Sequence, residues 1–290
     1  MPIAMPPHTR QDRTALFGER PLQSMPGCPR IAYEYAGAGE TIVFLHGIGG
    51  NRSNWAEQLQ HFSRQYKAVA WDARGYGNSD DYNGPCDFNA LSQDLVRLLD
   101  HLEVDKAHCV GLSMGGRILM DFCANYPERV QSLVLAGSFP SFGRSLGLEQ
   151  RQEFIRLRRE PLQAGKKISD MATELIASLA GPYATNAMLL KMRQSIEALH
   201  PDSYLKTLES TLSFDRTAAL ALIRVPTLLL YGEFDTLVTP SAGKQVQALM
   251  PNAQYHVIRS VGHLMNIEAP VEFNRVVGDF VLLHARACAS

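Results

Sequence analysis

Four short apolar runs in the first half of the chain, at 41–46, 67–72, 107–112 and 130–136, constrain its fold more than any other feature. Runs this short, with apolar residues on both alternating faces, are strands of a parallel sheet covered from both sides. A fifth run, at 31–36, alternates apolar and polar residues and is placed on an antiparallel side of the same sheet. Helical patterns fill the gaps. Residues 88–102 set Leu91, Leu95, Leu98, Leu99 and Leu102 on one stripe, the spacing of an amphipathic helix. A second pattern, 114–126, stops before Pro127, because proline disfavours a helical residue ahead of it. The alternation resumes late, with strands expected at 227–232 and 254–259 and helices at 239–250 and 270–284. Strand–helix alternation of this kind predicts an α/β fold, a doubly wound and mostly parallel sheet, and 290 residues suit one such domain.

Residues 139–215 break the rhythm. They hold helical stripes instead of strand runs: Ile168, Met171, Ala172, Leu175, Ile176 and Leu179, then Met188, Leu189 and Met192, then Tyr204, Leu205, Leu208 and Leu212. The expectation is a helical cap at 139–215 inserted into a core formed by 1–138 and 216–290. The stripes read as packing residues, and the charged run 156–160 reads as a solvated helix face.

Composition narrows the classes. Hydrophobic residues at 46% and charged residues at 20% mark a globular chain, not a disordered one. A net charge of −1 offers no basic excess to attract nucleic acid or an anionic membrane, so neither is an expected partner. No apolar run approaches the length of a membrane span. The segment 1–27 carries Pro2, Pro6, Pro7, Pro21 and Pro26 but no apolar stretch of the secretory kind, so no secretory signal is expected. The cysteines, Cys28, Cys86, Cys109, Cys123 and Cys288, are odd in number and form no Cys-x-x-Cys pair. Reduced thiols in a cytoplasmic protein are the expectation, without zinc or a disulfide framework.

The chemistry is concentrated in loops after the strands. Gly111-Leu112-Ser113-Met114-Gly115-Gly116 follows one strand directly and opens a helix, the setting of a nucleophile elbow. A serine on so sharp a turn has a strained backbone, and the glycines beside it remove β-carbons that would clash. Serine is a weak nucleophile until a base takes its proton and a third group fixes the tautomer of that base. In chain order the acid and then the histidine follow the serine. Asp235, just past the strand at 227–232, is one candidate acid and Glu233 its near rival. His263, in the loop after the last strand, is the candidate base. His8 lies in the proline-rich lead, His61, His101 and His284 in helical patterns, His108 and His256 in strands, and His200 in the insertion. His46-Gly47-Ile48-Gly49-Gly50 follows the strand at 41–46, where a glycine-rich turn can point an N–H at a carbonyl oxygen. The N–H groups of Ile48 and Met114 are the expected oxyanion hole. The loop lacks the Lys-Ser/Thr ending of a P-loop, and His46 reads as a hydrogen-bonder at its base.

Taken with Asp72-x-Arg74-Gly75-x-Gly77-x-Ser79, Tyr126-Pro127-Glu128-Arg129-Val130, Gly232-x-x-Asp235 and Gly262-His263, these motifs resemble the α/β-hydrolase superfamily in register from about residue 31 to 281. Within it the chain resembles the bacterial esterase and lactonase branch typified by 3-oxoadipate enol-lactonase. The resemblance selects Asp235 over Glu233, gives Asp72 and Arg74 a structural loop, and implies a serine hydrolase acting on a small ester or lactone without cofactor or metal. Epoxide hydrolases and haloalkane dehalogenases carry aspartate at the elbow, where this chain has Ser113. Carbon–carbon hydrolases of meta-cleavage pathways usually carry tryptophan after the catalytic histidine, and here that residue is Leu264. These carbon–carbon hydrolases are the alternative, along with cofactor-free oxygenases and ligand-binding members of the fold.

Overall fold

The computed structural model describes residues 21–141 and 147–285. The first twenty residues of the segment read as lacking a secretory signal lie outside the described residues, as do 142–146 of the predicted cap and Cys288.

One eight-stranded sheet runs in the order β1-β2-β4-β3-β5-β6-β7-β8. Its strands are β1 (Gln23–Met25), β2 (Ile31–Ala36), β3 (Thr41–Leu45), β4 (Lys67–Trp71), β5 (Ala107–Leu112), β6 (Val130–Ala136), β7 (Thr227–Gly232) and β8 (Gln254–Ile258). The pairs β1–β2 and β2–β4 are antiparallel, and every other pair is parallel. The central strands β3, β5 and β7 are buried along their whole length, while β8, at the edge, is half-exposed for most of its length. That contrast is why the central runs were so plain in the sequence.

Strand alternation sorts the core into two layers. Val43, Leu45, Val69, Cys109, Leu133, Leu135, Leu229 and Tyr231 face one side. There they meet α2 (Phe88–His101) and α3 (Met114–Asn125). Ile42, Phe44, Ala68, Ala70, Val110, Leu112, Val134, Leu228 and Leu230 face the other. Packed on that face are α1 (Ala56–Phe62) and a C-terminal helix, Pro270–Leu283. Successive side chains of a strand point to opposite faces, so both layers are dictated by a period of two.

Among the described residues, five helices and no strand lie between β6 and β7: α4 (Leu148–Gln163), α5 (Ile168–Ala177), α6 (Asn186–Glu197), α7 (Pro201–Ser213) and the short α8 (Thr217–Leu220). The stripes predicted in the sequence turn inward, burying Ile168, Met171, Ala172 and Ile176 from α5, Met192 from α6, and Tyr204, Leu208 and Leu212 from α7. The two ends of the predicted cap are tied together. Ser141 and Asp215 form an isolated antiparallel bridge, and the Arg216 N–H donates to the Pro140 carbonyl at 3.1 Å. The Arg216 side chain then pairs with buried Asp121 at the end of α3. After β7 come α9 (Pro240–Leu249), α10 (Met265–Glu268) and α11, the C-terminal helix.

Candidate active site

Sheet register explains why the loops meet. Leu45 at the end of β3 pairs with Gly111 near the end of β5, so the loop after β3 must lie beside the turn after β5. The chain order of the strands reverses at β3, and crevices of open α/β sheets form at the carboxyl ends of strands around such a reversal.

Ser113 stands between β5 and α3 with φ 54° and ψ −112°, a left-handed-side conformation that serine adopts only when its surroundings impose it. Three hydrogen bonds impose it here. The Ser113 N–H donates to the Ala136 carbonyl at 2.8 Å. Its own carbonyl accepts from the Ser138 hydroxyl at 2.6 Å and from the Arg117 N–H at 3.2 Å. At Gly115 a β-carbon would run into the Leu45 carbonyl, so only glycine lets α3 begin this close to β3.

Asp235 follows β7 and His263 follows β8, and both are buried. His263 Nδ1 lies 2.7 Å from Asp235 Oδ2. The other oxygen, Oδ1, accepts the N–H groups of Leu237 at 2.9 Å and Val238 at 2.8 Å. A carboxylate held at both oxygens fixes the plane of the ring and keeps the proton on Nδ1, which leaves Nε2 as the basic nitrogen. That Nε2 is buried and has no hydrogen-bond partner among the described residues. The rival Glu233 points elsewhere, accepting the Ser260 N–H at 2.8 Å.

Between Ser113 and this pair stands the end of β6. Gly137 takes φ +51°, and a β-carbon there would lie 3.1 Å from His263 Cε1 and 3.5 Å from Asp235 Oδ2. A bare backbone at this point lets the histidine from β8 reach across an intervening strand. Sequence reasoning missed Gly137 and Ser138, although a Gly-Ser pair just past a buried strand was a signal of the same kind as the loops it did find.

Gly47 packs against the serine: a β-carbon there would lie 3.2 Å from Ser113 Cβ. This puts Ile48, which lines the cavity, next to the elbow. The Met114 side chain is fully buried, while its N–H is one of those that the first turn of a helix leaves unpaired. His46 bonds on both sides, Nδ1 to the Gly47 carbonyl at 2.8 Å and Nε2 to the Ala73 N–H at 3.1 Å. Nε2 therefore accepts and Nδ1 donates, and burial lowers its pKa below the ordinary 6.5. Asp72 and Arg74 bond within the core: Asp72 accepts the N–H groups of Arg52 and Asn78, each at 2.8 Å, and Arg74 pairs with Asp94.

These loops open on a cavity of about 250 Å³ that exposes Ser113 and His263 together with Ile48, Leu112 and Leu264. Leu175, Leu179, Ile196, Leu199 and Leu208, between α5 and α7, form its opposite wall. The charged run of α4 is only partly a solvated face. Arg156 pairs with Glu153 and Glu160 in solvent, whereas Arg158 turns inward, stacks 3.6 Å from the Phe154 ring and lines the cavity. A helix has one outward face, and Arg158 lies off it. Among the described residues no helix is long and apolar enough to cross a membrane, and no three His, Cys, Asp or Glu side chains are grouped to hold a metal.

The chain belongs to the family described as the alpha/beta hydrolase fold, which matches residues 40–270. It sits in the branch of that family containing enol-lactonases and esterases. The 3-oxoadipate enol-lactonase 2 of Acinetobacter baylyi is 25% identical over 258 residues, covering 85% of this chain and 92% of that protein. A 2-hydroxy-6-oxononadienedioate/2-hydroxy-6-oxononatrienedioate hydrolase of Cupriavidus pinatubonensis is 31% identical over 269 residues, covering 87% and 90%. In fold, the chain is similar to a thermophilic esterase from Thermogutta terrifontis, with a TM-score of 0.83 and 24% identity over 92% of this chain and all of that one.

Proposed function

We propose that this chain is a serine hydrolase that cleaves carboxylic esters or lactones of small to medium, partly apolar compounds through an acyl-enzyme on Ser113. The observation that carries the reading is the buried His263, fixed by Asp235 at 2.7 Å and left with Nε2 unbonded beside the cavity that holds Ser113. Such a pair has an obvious use: Nε2 takes the Ser113 hydroxyl proton as Oγ bonds to the substrate carbonyl carbon. The carbonyl oxygen becomes an oxyanion, held by the N–H groups of Ile48 and Met114. Collapse breaks the bond to the leaving oxygen, which takes the proton from the imidazolium. Water then gives its proton to Nε2 and attacks the acyl group, and Ser113 Oγ leaves with that proton. Asp235 holds Nδ1–H throughout and stabilises the imidazolium. Residues 139–215 act as the cap, and their apolar side chains receive the body of the substrate.

The named activity of the Acinetobacter relative supports the lactone reading. A second reading has its own support, since the Cupriavidus relative, whose name describes a hydrolase of a dienedioate, is the more identical of the two. Carbon–carbon cleavage asks for more than acyl transfer, because the substrate must ketonise before a carbanion equivalent can leave. The tryptophan usual beside the histidine in that class is Leu264 here, on the cavity wall. Side-by-side kcat/KM values for short-chain aryl esters, small lactones and dienol diketone acids decide between them. Esters or lactones turning over fastest is the expected result. Ring-fission compounds faster than every ester and lactone would give the second reading the site.

A further inference from the structure

The cap is joined to the loop that carries the base, and one carboxylate makes the joint. Glu268, on α10, is 8% exposed. Its Oε2 accepts the N–H of Gly181, in the turn between α5 and α6, at 2.8 Å, and the N–H of Gly262, the residue before His263, at 3.0 Å. Its Oε1 is buried with no hydrogen-bond partner among the described residues. Beside it the His263 N–H donates to the carbonyl of Leu179, two residues before Gly181. The two segments are in backbone contact: a β-carbon at Gly181 would stand 2.5 Å from the Gly262 nitrogen and 2.7 Å from Glu268 Oε2.

Burial raises the Glu268 carboxyl above the usual carboxylate range, against the pull of its backbone donors. A carboxylate with one oxygen unbonded in the interior is a costly way to gain stability. What this carboxylate does gain is geometry, because its backbone donors flank the base: Gly262 and Leu264 on either side of His263, and Gly181 in the cap.

We propose that Glu268 is a positioning residue for His263, its carboxylate locking the base loop to the cap turn so that Nε2 keeps its place beside Ser113. The proposal rests on the assignment of His263 as the base. It makes the cap part of the catalytic frame: the α5–α6 turn cannot lift away without taking the backbone of the base with it. Ser195 on α6 ties the same cap to the oxyanion loop, donating to the Gly49 carbonyl at 3.0 Å. Cap and core therefore meet at both groups that must hold still while the tetrahedral intermediate forms.

The test uses the full chain with Glu268→Ala, Glu268→Gln and Gly181→Ala, each checked for folding by circular dichroism and assayed for kcat and KM on one aryl ester. Misplacing a catalytic group costs about 10²-fold in rate, so the Ala variant is expected to lose on the order of 10² in kcat with KM close to wild type. The Gln variant should keep most of kcat, because its amide oxygen can accept the same N–H groups. Gly181→Ala leaves the carboxylate in place but sets a β-carbon against the Gly262 nitrogen and Glu268 Oε2, and should also fall in kcat; it carries the test together with Gln if the Ala variant does not fold. Wild-type kcat in folded Glu268→Ala or Gly181→Ala, with any loss confined to KM or melting temperature, would overturn the proposal. So would a Gln variant as slow as the Ala variant. Failure of the base assignment looks different: His263→Gln would then keep turnover, whatever the Glu268 variants do.

Discussion

The sheet end and the cap face each other across one cavity and are built on different principles. At the sheet end nearly every atom is specified. Ser113 is held by three hydrogen bonds in a strained conformation, and Asp235 by bonds to both oxygens. In the cap, specification is largely by shape: Leu175, Leu179, Ile196 and Leu208 present apolar surface, with Arg158 the charged side chain on that wall. Chemistry needs atoms placed to within tenths of an ångström, whereas fitting an apolar body needs volume. The same fold can therefore keep its reaction while its cap changes substrate.

Substitution should expose that division. The largest effect belongs to Ser113→Ala, which is expected to keep the fold and lose ester turnover by about 10⁶, the loss recorded when a serine nucleophile is removed from another hydrolase. Asp235→Asn should cost about 10⁴ in kcat, since an amide at this position favours the wrong tautomer of His263. A steady-state assay of the purified variants checks both. A loss of less than tenfold in either would dissolve the contrast between the two regions.

Cap substitutions should act on selection. Leu175→Ala removes apolar wall from the cavity and is predicted to shift the ratio of kcat/KM between long-chain and short-chain acyl esters by on the order of tenfold, leaving kcat on its best ester near wild type. An equal loss on all chain lengths would mean that the cap wall serves the chemistry directly.

How plainly each region could be read follows from the same division. The buried parallel strands were legible because both of their faces are covered, which makes the runs continuous. Ser113, Asp235 and His263 were legible as candidates because a nucleophile, an acid and a histidine must follow strands in a set order. Glu233 and Asp235 could not be separated by position alone; the turn after β7 sends one toward Ser260 and the other toward His263. The strand β1, three residues at the sheet edge, was missed because so short an edge strand leaves no pattern. In the cap the stripes announced helices, but not which side chains reach the cavity. Arg158 was hidden in a run, 156–160, that looked uniformly solvated, and Glu268 was hidden because a carboxylate that bonds only backbone has no motif.

Stability offers two smaller tests of how rigidly the sheet end is built. Gly115→Ala forces a methyl against the Leu45 carbonyl and should destabilise the chain by about 1–3 kcal/mol, the usual range for overpacking, read from denaturant unfolding. The second test concerns His46, which is held neutral and below its ordinary pKa of 6.5 by burial. As pH falls through 6.5 the unfolded chain takes up a proton that the folded chain refuses, so stability is lost with acidification at up to about 1.4 kcal/mol per pH unit. His46→Gln should show a shallower loss as pH falls below 6.5 in the same experiment. An identical slope would mean that His46 titrates freely.

The most direct test of the central claim, that acyl transfer runs through Ser113, is labelling of the purified protein with a serine-reactive fluorophosphonate followed by peptide mass spectrometry. A single adduct on the peptide containing Ser113, formed in step with loss of esterase activity and absent from Ser113→Ala, is the predicted result. An adduct on another serine, or full ester turnover after Ser113 has been modified, would contradict it.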